Sequence, residues 1–361
     1  MDRRSFLKNS ALGGSAAAAT ALAAPAYAQG NRTLTMVTSV PDGFAIFDDA
    51  AQMAATAITE MTDGQLTINK MPAGSLVGAF EVFDAVSSGQ ADIYHSAEYY
   101  FLNQHPAFAF FTSVPFGMTG VEMLAWYYHK GGMEQHQELA SLFNLKPFLC
   151  GNTAMQPGGW FNSEITSADD LQGLRFRMPG QGGQVLGVLG ASVQNIPGGE
   201  IYQALSSGQI DGAEWIGPFA DERMGFQEVT KIYYTSGFHE PGSALALSMN
   251  LEVWESLTPA QQRIVQVACE ATHANNLGMS WAENGAALGR LQSAGVQVRE
   301  FPDDVWDAFG RAAAEVREAN MSDPLYADIA NSYFGAMEET SSWWQIGDGE
   351  YIRQRNRVNA G

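Results

Sequence analysis

Two short segments of the chain, 119 positions apart, are nearly identical, and this internal repeat restricts the fold more than any other feature. Residues 85–92 read AVSSGQAD, and residues 204–211 read ALSSGQID. Each ends a helix-like apolar pattern with a glycine that can take the left-handed conformation typical of helix ends. An aspartate then precedes a strand-like run. One helix-to-strand unit present twice, in a chain of 361 residues, predicts two α/β lobes of similar construction.

Strand-like and helix-like patterns alternate through most of the chain, which indicates an α/β fold. The strand-like runs are Thr33–Thr38, Gln65–Asn69, Ala91–Ser96, Lys146–Cys150, Leu174–Met178 and Ala244–Met249. The helix-like runs between them are Ile46–Met61, Gly78–Ser87, Val121–Leu142, Gly183–Leu189 and Glu200–Ser206. We therefore expect helices packed against sheets in each lobe.

The last third of the chain is helical in pattern. Thr258-Pro259-Ala260-Gln261 combines a capping box with proline at the first helical position, and apolar periodicity continues to about Leu291. A helix of that length, about 50 Å at 1.5 Å per residue, can lie across both lobes. Residues 304–355 form a second helical stretch rich in Trp and Tyr. This tail packs either along its own lobes or on a partner, and the sequence leaves both open.

The first 28 residues have the pattern of a bacterial export signal. Arg3-Arg4-Ser5-Phe6-Leu7-Lys8 is a twin-arginine motif, Ala11–Ala24 is weakly apolar, and Ala26-Tyr27-Ala28 is a small-x-small cleavage pattern. The apolar part is too short and too rich in alanine for a membrane anchor. We expect the mature protein to be periplasmic.

The charge of the chain excludes several partners. Its formal net charge is −20, and removal of the signal takes two further positive charges away, so nucleic acid and anionic lipid are not expected to bind. The only cysteines are Cys150 and Cys269, and we expect two buried free thiols because Cys150 ends a strand-like run and Cys269 lies in a helical pattern. The chain has no CxxC motif and no Cys/His cluster. Iron–sulfur, haem c and structural zinc sites are thereby excluded. Because the whole chain is strongly negative, an anionic ligand needs a local, buried arginine.

Motifs of enzymes are also missing. The chain has no GxSxG elbow and no HExxH, and its six histidines show no ligand spacing, so none is expected to act as a general base. The glycine-rich stretch from Gly180 to Gly187 imitates a dinucleotide fingerprint, but Val185 stands where the third glycine is required. We expect neither an organic cofactor nor catalysis.

A polar set inside apolar surroundings remains as the candidate site. Its members are Asn152 and Gln156 in GNTAMQPGGWF, Arg177 in GLRFRMPG, Glu214 and Trp215 in DGAEWIGP, and Glu240 in FHEPG. Arg177 ends a strand before glycines, where its planar fork can take a carboxylate with two hydrogen bonds. Arg175 on the same strand is the candidate for an ordinary exposed cation. Glu214 either caps the next segment or binds a cation.

Three long segments of the chain resemble the solute receptors of tripartite ATP-independent periplasmic (TRAP) transporters, in particular the branch that binds 2-oxo monocarboxylates. They are residues 151–161 (GNTAMQPGGWF), 173–191 (GLRFRMPGQGGQVLGVLGA) and 201–226 (IYQALSSGQIDGAEWIGPFADERMGF). The resemblance covers nearly the whole chain. It implies two α/β lobes with a cleft between them, a long helix that spans both, and a metal ion bound together with the substrate.

The resemblance also assigns roles to residues. Arg177 matches the arginine that pairs with the substrate carboxylate, and the substrate site it implies contains Arg177, Asn152, Gln156, Tyr100, Trp215 and Glu214. The metal site it implies consists of Gln156, Glu214, the Trp215 carbonyl and Glu240. Charge balance favours Ca²⁺ and the family branch favours Na⁺, so both ions stay open. The chain departs from the family pattern at Pro157 and Pro241, which follow two of these residues.

Together these observations predict a receptor that captures a small 2-oxo or 2-hydroxy acid by cleft closure and presents it to the TRAP membrane permease subunits. A receptor for a sugar acid or other polar carboxylate and a periplasmic enzyme for hydroxy or oxo acids are the alternatives. The expected division of the chain is residues 1–28 as signal, 29–151 as lobe I with a return segment at 242–285, 152–241 as lobe II, and 286–361 as a helical C-terminal region. A second protomer is a candidate partner of the C-terminal helix.

Overall fold

The computed structural model describes residues 30–359. The export signal predicted for residues 1–28 lies outside the described residues. The strands are β1 (Arg32–Thr38), β2 (Leu66–Met71), β3 (Ile93–Ser96), β4 (Leu145–Asn152), β5 (Pro157–Phe161), β6 (Arg175–Arg177), β7 (Ser192–Gln194), β8 (Gly212–Ala213), β9 (Ile232–Ser236), β10 (Ala244–Asn250) and β11 (Gln297–Arg299).

The described residues also form thirteen α-helices. They are α1 (Phe47–Met61), α2 (Val82–Ser87), α3 (Gly120–His129), α4 (Gly132–Ser141), α5 (Gly180–Val188), α6 (Ile201–Ser206), α7 (Pro218–Met224), α8 (Phe226–Val229), α9 (Leu251–Glu255), α10 (Pro259–Ser293), α11 (Asp303–Ala319), α12 (Pro324–Trp344) and α13 (Glu350–Asn359). None of the helices between residues 30 and 359 has the length and apolar character of a membrane span.

The first sheet has the order β2-β1-β3-β10-β4, with β1, β2 and β3 parallel and β10 antiparallel to both of its neighbours. Alternate residues of β1 face opposite sides of this sheet. Leu34 and Met36 pack with α1, while Val37 belongs to the core on the other face. Cys150 and Cys269 are buried, free thiols, as expected.

The second sheet has the order β11-β9-β5-β8-β6-β7. Its outer core is aromatic, because Phe161, Phe176 and Tyr234 from the sheet pack against Phe301 and Phe309, the latter on α11. Two sheets, each covered by helices, confirm the predicted α/β fold. The C-terminal region that we predicted to be helical also holds β11, which extends the second sheet beside β9.

Two neighbouring connections join the sheets. Residues 153–156 run from β4 to β5, and residues 237–243 return from β9 to β10. Backbone hydrogen bonds hold these crossings together, because Thr153 N donates to Ser243 O (2.9 Å), Gln156 N to Glu240 O (3.1 Å) and Gly237 N to Gln156 O (2.9 Å). The crossings are therefore one paired hinge.

The internal repeat has the same structure in both sheets. Its glycines, Gly89 and Gly208, have φ of 81° and 70°, and each ends a short helix. The aspartate that follows binds the neighbouring strand, since Asp92 accepts from Thr35 N (2.7 Å) and Asp211 accepts from Arg175 N (3.0 Å). Two lobes of like construction explain why the sequence repeats.

The long helix α10 is confirmed, and so is its capping box, in which Gln261 N donates to Thr258 Oγ1 (3.2 Å). Its Asn276 accepts from Asn152 N (2.8 Å) at the end of β4, and its Asn284 accepts from Phe219 N (3.0 Å) on α7. The helix is thus bonded to elements beside both sheets.

One predicted helix was wrong. The run Val121–Leu142 is two helices, α3 and α4, because Gly131 between them has φ of 88°, a left-handed conformation that no α-helix can contain. The break folds α4 back, which puts His136 against Phe111 with ring centroids 4.1 Å apart.

The C-terminal helices divide between the chain's own body and the surface. In α12, Tyr333 receives a hydrogen bond from Met118 N (2.6 Å) and packs on Trp126, so this helix covers the first sheet's side. By contrast, α13 buries no residue. Large apolar side chains at this end stay exposed, namely Trp343, Trp344, Ile346, Tyr351 and Val358.

Candidate functional site

The predicted polar residues meet where the paired hinge reaches the ends of β6 and β8. Arg177 is the last residue of β6, and Glu214 directly follows the parallel neighbour β8. Carboxyl ends of adjacent parallel strands lie side by side, and ligands bind beyond them in open α/β sheets. Gln156 and Glu240 come from the two crossings of the hinge. The site therefore belongs to both the second sheet and the hinge.

Arg177 is fully buried and is held from three sides. Its Nη1 forms an ion pair with the Glu214 carboxylate and lies 3.3 Å from the Glu214 carbonyl, and its Nε donates to Ile196 O (3.0 Å). The ring of Trp215 stacks under the guanidinium at 5.4 Å. Nη2 has no partner. The Nη2 group of Arg177 is thus a hydrogen-bond donor in a fixed position that is free for a ligand.

Glu240 and Gln156 bind each other across the hinge. Glu240 Oε2 accepts from Gln156 Nε2 (2.6 Å) and from Ser243 Oγ (2.5 Å). Gln156 Nε2 also donates to Thr153 Oγ1 (3.0 Å), so the amide oxygen of Gln156 points away from these partners and has none. Pro157 and Pro241, the departures from the family pattern, leave this contact intact.

Unpartnered polar atoms are concentrated at this site. Among the described residues, eleven buried side-chain nitrogen and oxygen atoms have no hydrogen-bond partner. Five of them lie here, on Gln156 (Oε1), Arg177 (Nη2), Glu214 (Oε2) and His239 (Nδ1 and Nε2). Native proteins satisfy almost all such groups. A site with oxygen acceptors and a guanidinium donor left over is therefore built for a ligand.

The charges of the site do not balance. Burial raises the pKa of Glu214 to about 7, and the charge of Asp221 adds to this while Arg177 opposes it. Burial and the charge of Glu214 likewise raise the pKa of Glu240 to about 7. Burial lowers the pKa of Arg177, but the Glu214 carboxylate together with Tyr100 and Tyr99 outweighs it, and the net direction of the pKa is upward. Two buried carboxyl groups with one buried cation leave an excess of negative charge when both are ionised, which a bound cation would remove.

The donor set fits a hard cation. Carboxylate oxygens of Glu214 and Glu240 and the amide oxygen of Gln156 are ligands that Na⁺ and Ca²⁺ prefer. The Glu214 Oε2 and Gln156 Oε1 atoms are buried and unpartnered, so both are available for coordination.

Two tyrosines close the site from the side of the first sheet. Tyr99 and Tyr100 lie on a short 3-10 helix, Glu98–Phe101, with ring centroids 4.9 Å apart. Tyr100 lies next to Arg177, and burial raises its pKa, so its hydroxyl is neutral. The turn is anchored by buried Glu98, which accepts from Tyr94 Oη (2.9 Å) and Ser248 Oγ (3.1 Å). Beside the tyrosines opens a groove of about 570 Å³, bordered also by Phe80, Met178 and Gln184.

Asn152 does not join this group. Its Oδ1 accepts from Ala154 N (2.8 Å), and its Nδ2 lies 3.5 Å from Gly242 O. These bonds hold the entry to the hinge, and among the described residues none links Asn152 to Arg177, Glu214 or Glu240. The structure gives Asn152 a supporting position behind the site, whereas Arg177, Gln156, Glu214, Trp215, Glu240 and Tyr100 are brought together.

Sequence reasoning missed two residues. His239, which we did not expect to be functional, lies between the two carboxylates with Nε2 3.7 Å from Glu214 Oε2. Asp221 lies beneath the Glu214-Trp215 turn and accepts four hydrogen bonds, from Ile216 N, Gly217 N, Trp160 Nε1 and Tyr233 Oη, at 2.9 to 3.1 Å. Asp221 therefore fixes the backbone of that turn. The only sequence signal for His239 was its position next to Glu240.

Comparison with protein families gives one match over most of the chain. The family model described as "Bacterial extracellular solute-binding protein, family 7" matches residues 36–323. A monocarboxylate 2-oxoacid-binding periplasmic protein from Nostoc sp. (strain PCC 7120) is 37% identical over 317 residues, which are 88% of this chain and 87% of that protein.

Two solved structures have nearly the same fold. A TRAP periplasmic solute-binding protein from Pseudoalteromonas atlantica, with bound sodium and pyruvate, is 38% identical with a TM-score of 0.87 over 90% of this chain and 99% of that one. One from Bordetella bronchiseptica, described as a mixed-occupancy dimer with copurified calcium and picolinate, is 32% identical with a TM-score of 0.90 over 92% and 99% of the two chains.

Proposed function

The chain belongs to the family 7 bacterial extracellular solute-binding proteins, and from this premise we propose that it is a TRAP transporter receptor that binds a small 2-oxo or 2-hydroxy monocarboxylate together with a cation. The Nostoc protein is named as binding monocarboxylate 2-oxoacids, and the Pseudoalteromonas structure holds sodium and pyruvate. The observation in this chain that carries the proposal is the unpartnered Nη2 of buried Arg177. A guanidinium in that position pairs with a carboxylate.

In this proposal the residues have separate roles. Arg177 binds the ligand carboxylate, and Tyr100 and Trp215 form the walls beside it. Gln156, Glu214, Glu240 and the Trp215 carbonyl hold the cation, which supplies an electrostatic link between the acidic residues and the ligand oxygens. Na⁺ and Ca²⁺ occur in the similar structures, and both suit these oxygen donors.

The site supports capture without chemistry. Its residues come from the two crossings, from the ends of strands beside the second sheet and, with Tyr100, from the side of the first sheet, so closing the lobes around the hinge brings them onto the ligand. The alternative of a sugar acid needs hydrogen-bond partners for several hydroxyl groups, whereas the unpartnered atoms of the site suit a small ligand and one ion. The closed form is then presented to the TRAP membrane permease subunits in the periplasm.

Purified protein is expected to change its Trp fluorescence when pyruvate is added and to leave the pyruvate unchanged. Trp215 stacks on Arg177, so ligand and cation alter the field around its ring. Fluorescence titration measures binding, and chromatography of the mixture after long incubation measures turnover. Trp343→Phe at the far C-terminal end is the matched control and should keep the response. Consumption of pyruvate without an added cofactor would establish an enzyme instead.

We further propose that the C-terminal helix α13 contacts a second protomer. It carries Arg353, Arg355 and Arg357 on a protein whose net charge is −20, and its apolar side chains are exposed. Basic and apolar groups together fit an acidic surface with apolar patches, such as a second copy presents.

Truncation before Trp343 is expected to convert a dimer into a monomer while pyruvate binding is retained, because the helix lies outside the ligand site. Light scattering coupled to gel filtration measures the mass of both forms. A charge-reversed variant, Arg353→Glu with Arg357→Glu, separates the electrostatic part of the contact. A monomeric full-length protein would contradict the proposal.

A further inference from the structure

Among the described residues, His239 is the imidazole that lies within reach of both site carboxylates. It is 2% exposed, and neither ring nitrogen has a hydrogen-bond partner. Nε2 lies 3.7 Å from Glu214 Oε2, and one ligand atom each of Glu214, His239 and Glu240 lies within 4.8 Å of the others. Among the described residues this is the only such group of three or more.

Two glycines leave the space that the His239 side chain occupies. A Cβ atom at Gly237 would lie 2.3 Å from His239 Cε1, and one at Gly182 would lie 2.7 Å from His239 Cβ. Both positions must therefore lack a side chain for the imidazole to occupy this place. His273 is also buried without hydrogen bonds at either ring nitrogen, but His239 differs from it in lying beside two carboxylates.

The chemistry of the group differs from that of an all-oxygen site. Na⁺ and Ca²⁺ take oxygen ligands, whereas imidazole suits borderline metals such as Co²⁺ and Zn²⁺. A divalent ion also balances charge, because Glu214, Glu240 and one ligand carboxylate carry three negative charges against Arg177 and the ion. The geometry therefore offers one imidazole, two carboxylates and the Gln156 amide oxygen to a single cation.

We propose that His239 is a metal ligand, so that this cation site takes borderline divalent metals such as Zn²⁺ and Co²⁺ in addition to Na⁺ or Ca²⁺. The inference rests on the proposed function, because it assigns the cation site of that receptor. It adds a nitrogen ligand and a class of metal that the bound ions of the similar structures do not include.

The test uses full-length protein without a histidine tag, stripped of metal by chelation and kept in sodium-free buffer. Ca²⁺, Zn²⁺ and Co²⁺ are titrated separately, with and without pyruvate, into the wild type, His239→Gln and the control His105→Gln. His105 lies 3.5 Å from Asp323, away from the site, and so reports adventitious surface binding. Long-range ¹⁵N NMR of histidine-labelled wild type gives a measurement that needs no variant, with His273, buried and remote from the three-residue group, as internal reference.

We expect Zn²⁺ to move the His239 Nε2 resonance and to leave His273 unchanged. His239→Gln should weaken Zn²⁺ and Co²⁺ binding by at least about tenfold, the lower end of what losing even an outer partner of a metal ligand costs. Pyruvate binding by the wild type with Ca²⁺ reports the receptor function separately from the metal preference.

Equal Zn²⁺ affinity in wild type and His239→Gln, or an unmoved His239 resonance, overturns the inference, and intact pyruvate binding with Ca²⁺ then leaves the receptor function standing. A shifted His239 resonance without pyruvate binding under any ion supports the ligand role and overturns the proposed function instead.

Discussion

Arg177→Ala is expected to lower the affinity for pyruvate by roughly 30-fold to several thousandfold. Loss of one partner from a buried, hydrogen-bonded charge pair costs about 2–5 kcal/mol, and a factor of ten corresponds to about 1.4 kcal/mol. Arg177→Lys should restore little, because one ammonium group cannot both bind Glu214 and present a second donor to the ligand. Titration calorimetry measures the pyruvate affinity of each variant, and cooperative thermal unfolding shows that the variant is folded.

Arg175→Ala is the matched control for this experiment. Arg175 lies two residues away on the same strand but is exposed and binds Asp211 through Nε (2.9 Å), outside the site. We expect pyruvate binding to this variant to be unchanged. Near-normal affinity of Arg177→Ala with an intact fold would remove Arg177 from the ligand site.

Removal of the cation is expected to weaken pyruvate binding by at least about 100-fold. Glu214, Glu240 and the ligand carry three negative charges, and Arg177 returns one positive charge. Leaving such charge buried and unbalanced costs several kcal/mol, and each 1.4 kcal/mol is a factor of ten. Protein is dialysed after chelation into sodium-free buffer, and affinity is measured before and after Na⁺ or Ca²⁺ is added back singly.

The variant Glu214→Gln tests the same link from the protein side. It should make pyruvate affinity less dependent on Ca²⁺, because one ligand charge is lost. Glu222→Gln is its control, since Glu222 binds Arg290 on the surface (2.7 Å) and should leave the dependence unchanged. Identical affinity under all ionic conditions would show that no cation is coupled to the ligand.

The fold could be predicted where local signals and tertiary packing agree. The repeat indicated two similar lobes because Gly89 and Gly208 both permit the left-handed backbone that ends a helix, and both adopt it. The capping box at Thr258 marked the start of α10 because its hydrogen bonds are local to the first turn. The break at Gly131 was missed although Gly131-Gly132 is a dipeptide of the kind that marks turns. The short strands β7, β8 and β11 have two or three residues, too few to show a pattern.

The sequence names candidate residues for the site but not their arrangement. Arg177, Gln156, Glu214 and Glu240 were candidates as polar residues in apolar segments, and the resemblance to a receptor family assigned their roles. The resemblance placed Asn152 in the substrate site, but its side chain accepts a hydrogen bond from Ala154 N at the start of the hinge. Asp221 was missed since its four bonds depend on a turn that only the fold creates.

The unpartnered atoms also determine what an empty receptor does. Each buried polar group left without a partner costs about 1–3 kcal/mol, and five of them are enclosed when the cleft is shut. Without solute and ion, the shut form is therefore a small minority of the molecules. The shut conformation is thus populated mainly when the site is occupied. A membrane partner that binds only the shut conformation therefore selects loaded receptors without contacting the solute.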